Sequence, residues 1–276
     1  MAYQVSHTDL RKRVVYGTPI NPSHLIDQLA GSSFCISYYS RKKLGSQVDK
    51  FIDIVGEDEL LLVDNGAFSA WMAGETMDAD YWDGFAAWAS DILKRCPQAV
   101  CVIPDVIDGD GKSNDDLMHD FMCCELELDG VDLPHDRMMA VWHMHEPISR
   151  LTALIEGGFQ YIAIGSSGEY SKPNTKEWHA RIAEAFAAMD ELVATGAYVR
   201  PWVHMMRAQA QAHLYPFDSS DSTNVAVNHN RYKQQGGDYL RQFADRVAGK
   251  IEASCNMVDR MDTPAELAIY LAGDVA

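Results

Sequence analysis

The sequence predicts an α/β fold, a single (β/α)8 TIM-like barrel spanning residues 1–276. Three observations predict it. Short apolar, β-rich runs recur along the chain, helical patterns separate most of them, and run after run ends abruptly in a polar residue. No Pro- or Gly-rich linker, internal repeat or low-complexity segment divides the 276 residues, and this length is ordinary for one barrel. A doubly wound open sheet shares the alternation and differs only in closure, which periodicity does not reveal.

In chain order the runs are Phe34–Ser37, Leu60–Val63, Ala99–Ile103, Met138–Trp142, Tyr161–Ile164 and Tyr198–Val203, followed by the weaker Leu214–Phe217 and Ile251–Cys255. Two intervening segments read as helices. Asp78 to Arg95 carries Tyr81, Trp82, Phe85, Trp88, Ala89 and Ile92 at helical spacing, and Asn174 to Thr195 carries Trp178, Ile182, Phe186 and Met189. Thr175 and Thr263 are expected to cap helices and Gly196 to stop one. The stretch from Asn228 to Gly237 reads as a loop.

Composition limits the function. A net charge of −17 excludes a protein that coats nucleic acid over its whole surface, because such affinity comes from neutralised phosphates. A local basic lip remains open, and Arg11-Lys12-Arg13 and Arg41-Lys42-Lys43 are the two dense clusters. The second follows a predicted strand end, although a solvated loop reads the same way. No window approaches 18 apolar residues, and the N-terminus has no apolar stretch of signal-peptide length, so a cytoplasmic protein without membrane contact is expected. Six cysteines, several in or beside apolar runs, do not form a disulfide framework.

Four stretches carry candidate chemistry. The first is Asp64-Asn65-Gly66-Ala67-Phe68-Ser69-Ala70-Trp71, directly after Leu60–Val63. Asp-Asn-Gly is a turn sequence, since Asn and Gly tolerate positive φ and Asp caps local amides. A carboxylate leaving a buried strand beside Phe68 and Trp71 is also one whose pKa rises toward neutrality. The second is Tyr215-Pro216-Phe217-Asp218-Ser219-Ser220-Asp221-Ser222-Thr223, which reads either as a carboxylate nucleophile among short donors or as a capping cluster. With Asp64 and Asp105 it places acids at three strand ends. That suits chemistry at a sugar carbon, where one carboxylate attacks or stabilises an oxocarbenium-like centre and another moves a proton.

The third stretch, Gly165-Ser166-Ser167-Gly168-Glu169, lets backbone amides approach a ligand. The fourth is His143-Met144-His145-Glu146. Alternation puts His143 and His145 on one side, and with His204 and Asp221 they are the raw material of a divalent metal site. Glu146-Pro147 equally reads as the start of a helix, and vicinal Cys123-Cys124 lies in a helical pattern that suits core better than ligand.

Together these motifs resemble the tRNA-guanine transglycosylase superfamily from about Phe34 to Arg231, especially its compact phage-type branch, the DpdA-like DNA guanine transglycosylases. The stretch from Asp64 to Trp71 resembles the Asp-Ser-Gly-Ala/Gly-Phe motif of the proton-transfer aspartate, with Asn65 in place of Ser. Ile103-Pro104-Asp105-Val106-Ile107-Asp108 resembles the base-reading segment, with Asp105 or Asp108 in that role. Val141-Trp142-His143-Met144 falls where larger members carry a purine-contacting glutamine. Ile164 to Glu169 resembles the Gly-rich loop that reads the purine edge. Tyr215 to Thr223 resembles the nucleophile strand, where either Asp218 or Asp221 fits. Asp221 is favoured because its distance from the preceding helix suits the family. The superfamily's Cys-x-Cys-x-x-Cys zinc site has no counterpart, so a barrel lacking the zinc subdomain is implied.

The resemblance implies replacement of guanine in DNA by a 7-deazaguanine such as preQ0, without a cofactor or metal. Asp221 would attack C1′ and Asp64 would deprotonate the incoming base. Asp105, His143, Gly165 and Ser166 would hold the heterocycle, with Asp108, Phe68, Ser167 and His204 as further contacts and Arg41, Lys42 and Lys43 as a lip for DNA. It also implies a bacteriophage origin and host cytoplasm, where the new base would shield DNA from restriction. The alternatives are a tRNA-directed exchange enzyme, a metal-dependent barrel hydrolase using His143, His145, His204 and Asp221, and a non-catalytic barrel that binds a nucleobase, a nucleic acid or a partner enzyme.

Overall fold

In the computed structural model, which describes residues 13–123, 128–212 and 214–258, eight parallel strands close into a barrel in sequence order. The strands are β1 (Arg13–Gly17), β2 (Ser33–Ser37), β3 (Leu61–Asp64), β4 (Ala99–Val102), β5 (Met138–His143), β6 (Tyr161–Gly165), β7 (Trp202–Met205) and β8 (Ser219–Ser222). Closure is made at β1, where Val15 registers with Ser33 on one side and Asp221 on the other. The helices are α1 (Arg41–Leu44), α2 (Gln47–Ile54), α3 (Ala67–Met72), α4 (Ala79–Arg95), α5 (Gly111–Cys123), α6 (Ile148–Glu156), α7 (Lys176–Ala194), α8 (Gln209–Ala212), α9 (Asn224–Asn228) and α10 (Tyr239–Val258).

Strand alternation sorts the apolar residues into two cores. Val15, Leu62, Val100, Val102, Met139, Val141 and Ala163 plug the barrel interior. Phe34, Ile36, Leu61, Val63, Trp142, Ile162 and Ile164 face outward onto the helices, where Phe85, Ile92, Trp178 and Ile182 are fully buried. The predicted cap Thr175 holds α7, with Trp178 N–H donating to its Oγ1 at 3.2 Å, and Asp78 caps α4 in the same way, its Oδ1 accepting from Tyr81 N–H at 3.0 Å. Gly196, at φ 74°, stands in the left-handed region just past α7.

Four expectations need correction. The first strand is β1, whose signal is only Val14-Val15-Tyr16 between Arg13 and Gly17. The last is Ser219–Ser222 rather than Leu214–Phe217, because Ser219 Oγ accepts from Trp202 Nε1 and lies 2.8 Å from His204 Nδ1, replacing apolar packing with hydrogen bonds. Tyr215 and Phe217 instead anchor the preceding connection against Phe186. Ile251–Cys255 belongs to α10, where Leu240, Ala244, Val247 and Ile251 form a stripe at helical spacing. Likewise the predicted loop at 228–237 contains the end of α9 and a 3-10 helix, His229–Gln235. Arg11, Lys12, Cys124 and Thr263 lie outside the described residues.

Candidate active site

The alternation that fills the barrel also builds its mouth. Two residues beyond the apolar plug, the inward positions are Gly17, Ser37, Asp64, His143, Gly165, His204 and Asp221. All are at carboxyl strand ends, where βα barrels carry their chemistry. A cavity of about 450 Å³ opens there, lined by Ser37, Asp64, Asp105, His143, His204 and Asp221 among others. Phe68, Ile107, Met206 and Arg207 separate it from a second cavity of about 460 Å³, which also touches Trp71, Asp108, Ser166, Ser167 and Gly168.

Asp64 ends β3, and both readings of Asp-Asn-Gly hold at once. Gly66 adopts φ 82°, and its N–H donates to Asp64 Oδ2 at 3.2 Å. A Cβ on Gly66 would lie 2.8 Å from the Tyr39 backbone nitrogen, so the turn requires glycine. Asn65 Oδ1 accepts from Ala67 N–H at 2.7 Å and opens α3. The carboxyl of Asp64 is thereby aimed into the cavity. Burial pushes its pKa up to about 6, with Asp221 and Asp105 adding to the rise and Ser37 and Arg207 opposing it.

Asp221, on β8, is shifted the other way. Burial opposes its charge, but His204 and the Arg207 backbone amide outweigh it and hold the pKa below the ordinary carboxylate value. Arg207 N–H donates to Oδ1 at 2.8 Å, and His204 Nε2 lies 3.4 Å from the same oxygen. Arg207 reaches this position through a left-handed backbone, φ 62°, and its guanidinium lies 3.3 Å from the Phe68 ring centroid. Between the two acids lies Cys35, whose thiol is pushed well up by burial, with Asp64 and Asp221 adding to the effect.

Asp105 is buried and bonded on both oxygens. Asn65 Nδ2 donates to Oδ1 at 2.8 Å, and His143 Nε2 lies 2.9 Å from Oδ2. His143 Nδ1 packs against Gly165, where an added Cβ would sit 3.1 Å away. Glu146 fixes the same strand end. It accepts from His143 N–H at 2.9 Å, Arg150 Nη1 at 2.8 Å and Asn114 Nδ2 at 2.8 Å. A fully buried glutamate with three donors is satisfied, so it positions rather than reacts.

The remaining expected residues divide sharply. Phe68 and His204 line the main cavity, and Ser166, Ser167 and the exposed Asp108 line the second. Ser166 Oγ accepts from Trp178 Nε1 at 2.9 Å, and Gly165 gives room to His143. Asp218 lies elsewhere. It precedes β8, at the opposite end of the barrel, where Val203 N–H donates to it at 2.7 Å and Arg200 Nη1 pairs with it at 3.1 Å. Two residues of extended chain, Ser219 and Ser220, separate it from Asp221, which removes it from the site. His145 turns to Ser167 Oγ at 2.7 Å and the Gly109 carbonyl at 2.8 Å. Among the described residues no group of three or more His, Cys, Asp or Glu side chains is arranged to hold a metal ion, so the metal-site grouping of His143, His145, His204 and Asp221 does not assemble. Arg41, Lys42 and Lys43 form α1 beside the mouth; Arg41 stacks on Tyr38 at 3.8 Å, while Lys42 and Lys43 are exposed.

Sequence reasoning missed Arg207, Asn65, Asn114 and Arg150 as site residues. Arg207 follows a strand end, as the others do, and Glu146 and Arg150 stand at the i, i+4 spacing of a helical ion pair.

The fold and mouth thus define a (β/α)8 barrel with an acidic, ligand-sized cavity at the usual end. No family model matches the chain, and no curated protein matches it. Among solved structures the chain is similar to tryptophan synthase from M. tuberculosis in its open form with BRD0059 bound. The identity is 13%, the match covers 89% of this chain and 93% of that one, and the TM-score is 0.47. It is also similar to tryptophan synthase subunit alpha from Legionella pneumophila str. Paris, at 10% identity over 91% of this chain and 94% of that one, with a TM-score of 0.44. Likenesses this remote carry no residue role to this chain. Among the described residues no helix is long and apolar enough to cross a membrane.

Proposed function

We propose that this protein is a base-exchange transglycosylase of the tRNA-guanine transglycosylase type that replaces guanine in DNA with a 7-deazaguanine such as preQ0. One observation carries the reading. Two carboxylates share the mouth cavity with pKa values moved in opposite directions, Asp221 down and Asp64 up to about 6. A base that stays ionised and a neighbour that exchanges protons near neutrality are the two roles glycosyl transfer needs.

Asp221 attacks C1′ of the flipped nucleotide, and the glycosidic bond breaks with its electron pair leaving on guanine N9. Asp64 supplies a proton to the departing base. The incoming base then returns a proton from N9 to the Asp64 carboxylate, N9 attacks C1′, and the ester to Asp221 breaks. A pKa near 6 lets Asp64 serve in both directions. His143, fixed by Asp105 and Glu146, borders the heterocycle, and Phe68 offers it an aromatic face. Extrusion of the target from a duplex costs a few kcal/mol, which pocket contacts offset.

The test is transfer of labelled guanine and labelled preQ0 into DNA and into tRNA, side by side, with wild type and Asp221→Ala. Label entering DNA alone and lost in the variant is the expected result. Entry into tRNA alone supports the tRNA-directed alternative, and entry into neither overturns the exchange reading.

A further inference from the structure

The charges around the mouth are sorted by side. On a chain of net charge −17, the connections leaving the carboxyl ends of β7, β8 and β2 hold Arg207, Arg231, Lys233, Arg41, Lys42 and Lys43. Residues 206–217, 223–237 and 38–48 contain no acid at all. The connection after β1 contributes one acid, Asp27, which is paired with Lys50 at 3.0 Å. Because β7, β8, β1 and β2 are neighbours in the closed barrel, these segments adjoin. The connections after β3 and β4 are reversed. Residues 65–80 after β3 hold Glu75, Asp78 and Asp80, and residues 105–116 after β4 hold five aspartates against one lysine, Lys112.

The basic half is also stitched together. His229 Nε2 lies 3.0 Å from the Asn21 carbonyl, joining the β8 and β1 connections. Gln47 Nε2 donates to Asn21 Oδ1 at 3.2 Å and Ile20 N–H to Gln47 Oε1 at 3.2 Å, joining β1 to β2. Arg207 N–H on Asp221 ties the β7 connection to β8. Beside the arc, on α3 after β3, Trp71 is 44% exposed and Met72 64%, with the Trp71 ring 5.9 Å from Phe68. A fixed cationic arc bordered by exposed aromatic surface is the combination that binds a nucleic-acid strand, with phosphates on the cations and a base stacked on the ring.

We infer that the acceptor DNA strand crosses the mouth with its phosphates on the β7–β8–β1–β2 arc, kept from the β3–β4 side by its acids, while the base next to the target stacks on Trp71 at the arc's edge. The inference rests on the exchange reading for the identity of the strand, and it is tested without turnover.

The experiment is fluorescence anisotropy of a labelled single-stranded DNA oligomer, with no free base added, over a salt series. Wild type is compared with Lys42→Ala/Lys43→Ala, Arg231→Ala/Lys233→Ala, Trp71→Ala and, on the acidic side, Lys112→Ala. Removing one lysine or arginine that neutralises a phosphate should flatten the slope of log K against log salt by about 0.7, so each arc pair should flatten it by about 1.4. Trp71→Ala should weaken binding about ten-fold with the slope unchanged. Lys112→Ala should do neither. Unchanged slopes in both arc pairs, or an equal effect of Lys112→Ala, would overturn the arc. A same-sequence RNA oligomer bound more tightly through the same residues would overturn DNA as its partner. Normal slopes with no base exchange would remove the exchange reading and leave the arc standing.

Discussion

The two ends of the barrel treat buried polar groups in opposite ways. At the amino end every one discussed is compensated: Asp218 takes Arg200 and the Val203 amide, and Arg137 donates to the carbonyls of Leu93, Cys96 and Ala99. At the carboxyl end His143 Nδ1 is buried without a hydrogen-bond partner, and His204 Nε2 reaches Asp221 Oδ1 only at 3.4 Å. Asp64 there is charged only at a cost. A buried polar atom left unpaired costs about 1–3 kcal/mol, so the amino end is built for stability and the mouth holds groups whose partners a ligand would reorganise. The clearest pair is Asp218 and Asp221, three positions apart on one polypeptide, the first just before β8 at the amino end and the second near its carboxyl end.

The largest effects are expected at that pair. Asp221→Asn should lower exchange by at least about 10³-fold with the melting temperature little changed. Asp218→Asn should keep exchange and lose about 2 kcal/mol in urea unfolding, because it weakens a buried ion pair and the hydrogen bond to Val203. The reverse pattern would exchange the roles of the two ends.

Asp64 sharpens the comparison through pH. Its folded pKa of about 6 stands above the unfolded value near 3.8, so ionising it costs stability; the protonated form's advantage is complete below pH 4 and lost as pH rises through 6. Asp64→Asn should therefore stabilise the protein by on the order of 2 kcal/mol at pH 8 and by nothing at pH 3.5, as read from denaturant midpoints. The half-reaction with incoming base should rise through an apparent pKa near 6 in wild type and lose that limb in the variant.

Smaller effects follow at the positioning residues. Gly165→Ala presses on His143 Nδ1 and should raise KM for the free base roughly ten-fold, about 1.4 kcal/mol, with kcat within a factor of about three; unchanged KM would mean that His143 does not border the ligand. Arg207→Gly relieves a left-handed non-glycine backbone, worth about 1 kcal/mol, and removes the guanidinium from the Phe68 ring, worth about 0.5–1 kcal/mol. Its stability should stay within about 0.5 kcal/mol of wild type while exchange falls.

The same contrast explains what the sequence disclosed. Asp64, His143, Gly165 and His204 were legible because each terminates an apolar run, and barrel alternation then fixes them inward. The eighth strand was not, since Ser219-Ser220-Asp221-Ser222 holds its place by side-chain hydrogen bonds and offers no hydrophobic signal. That is why Leu214–Phe217 drew the assignment and why Asp218 stood level with Asp221. The partners were hidden for another reason. Asn65, Glu146, Arg150 and Arg207 act through distances of about 3 Å between segments far apart in sequence, and only a folded chain brings those together.

The central claim is a covalent bond between Asp221 and C1′ of the acceptor. Intact-mass analysis of acid-quenched mixtures of protein and DNA, followed by peptide mapping, tests it most directly. A protein–DNA adduct is expected on the peptide containing Asp221, absent in Asp221→Ala and retained in Asp218→Asn. An adduct mapped to another residue, or exchange proceeding at full rate with Asp221 replaced, would contradict it.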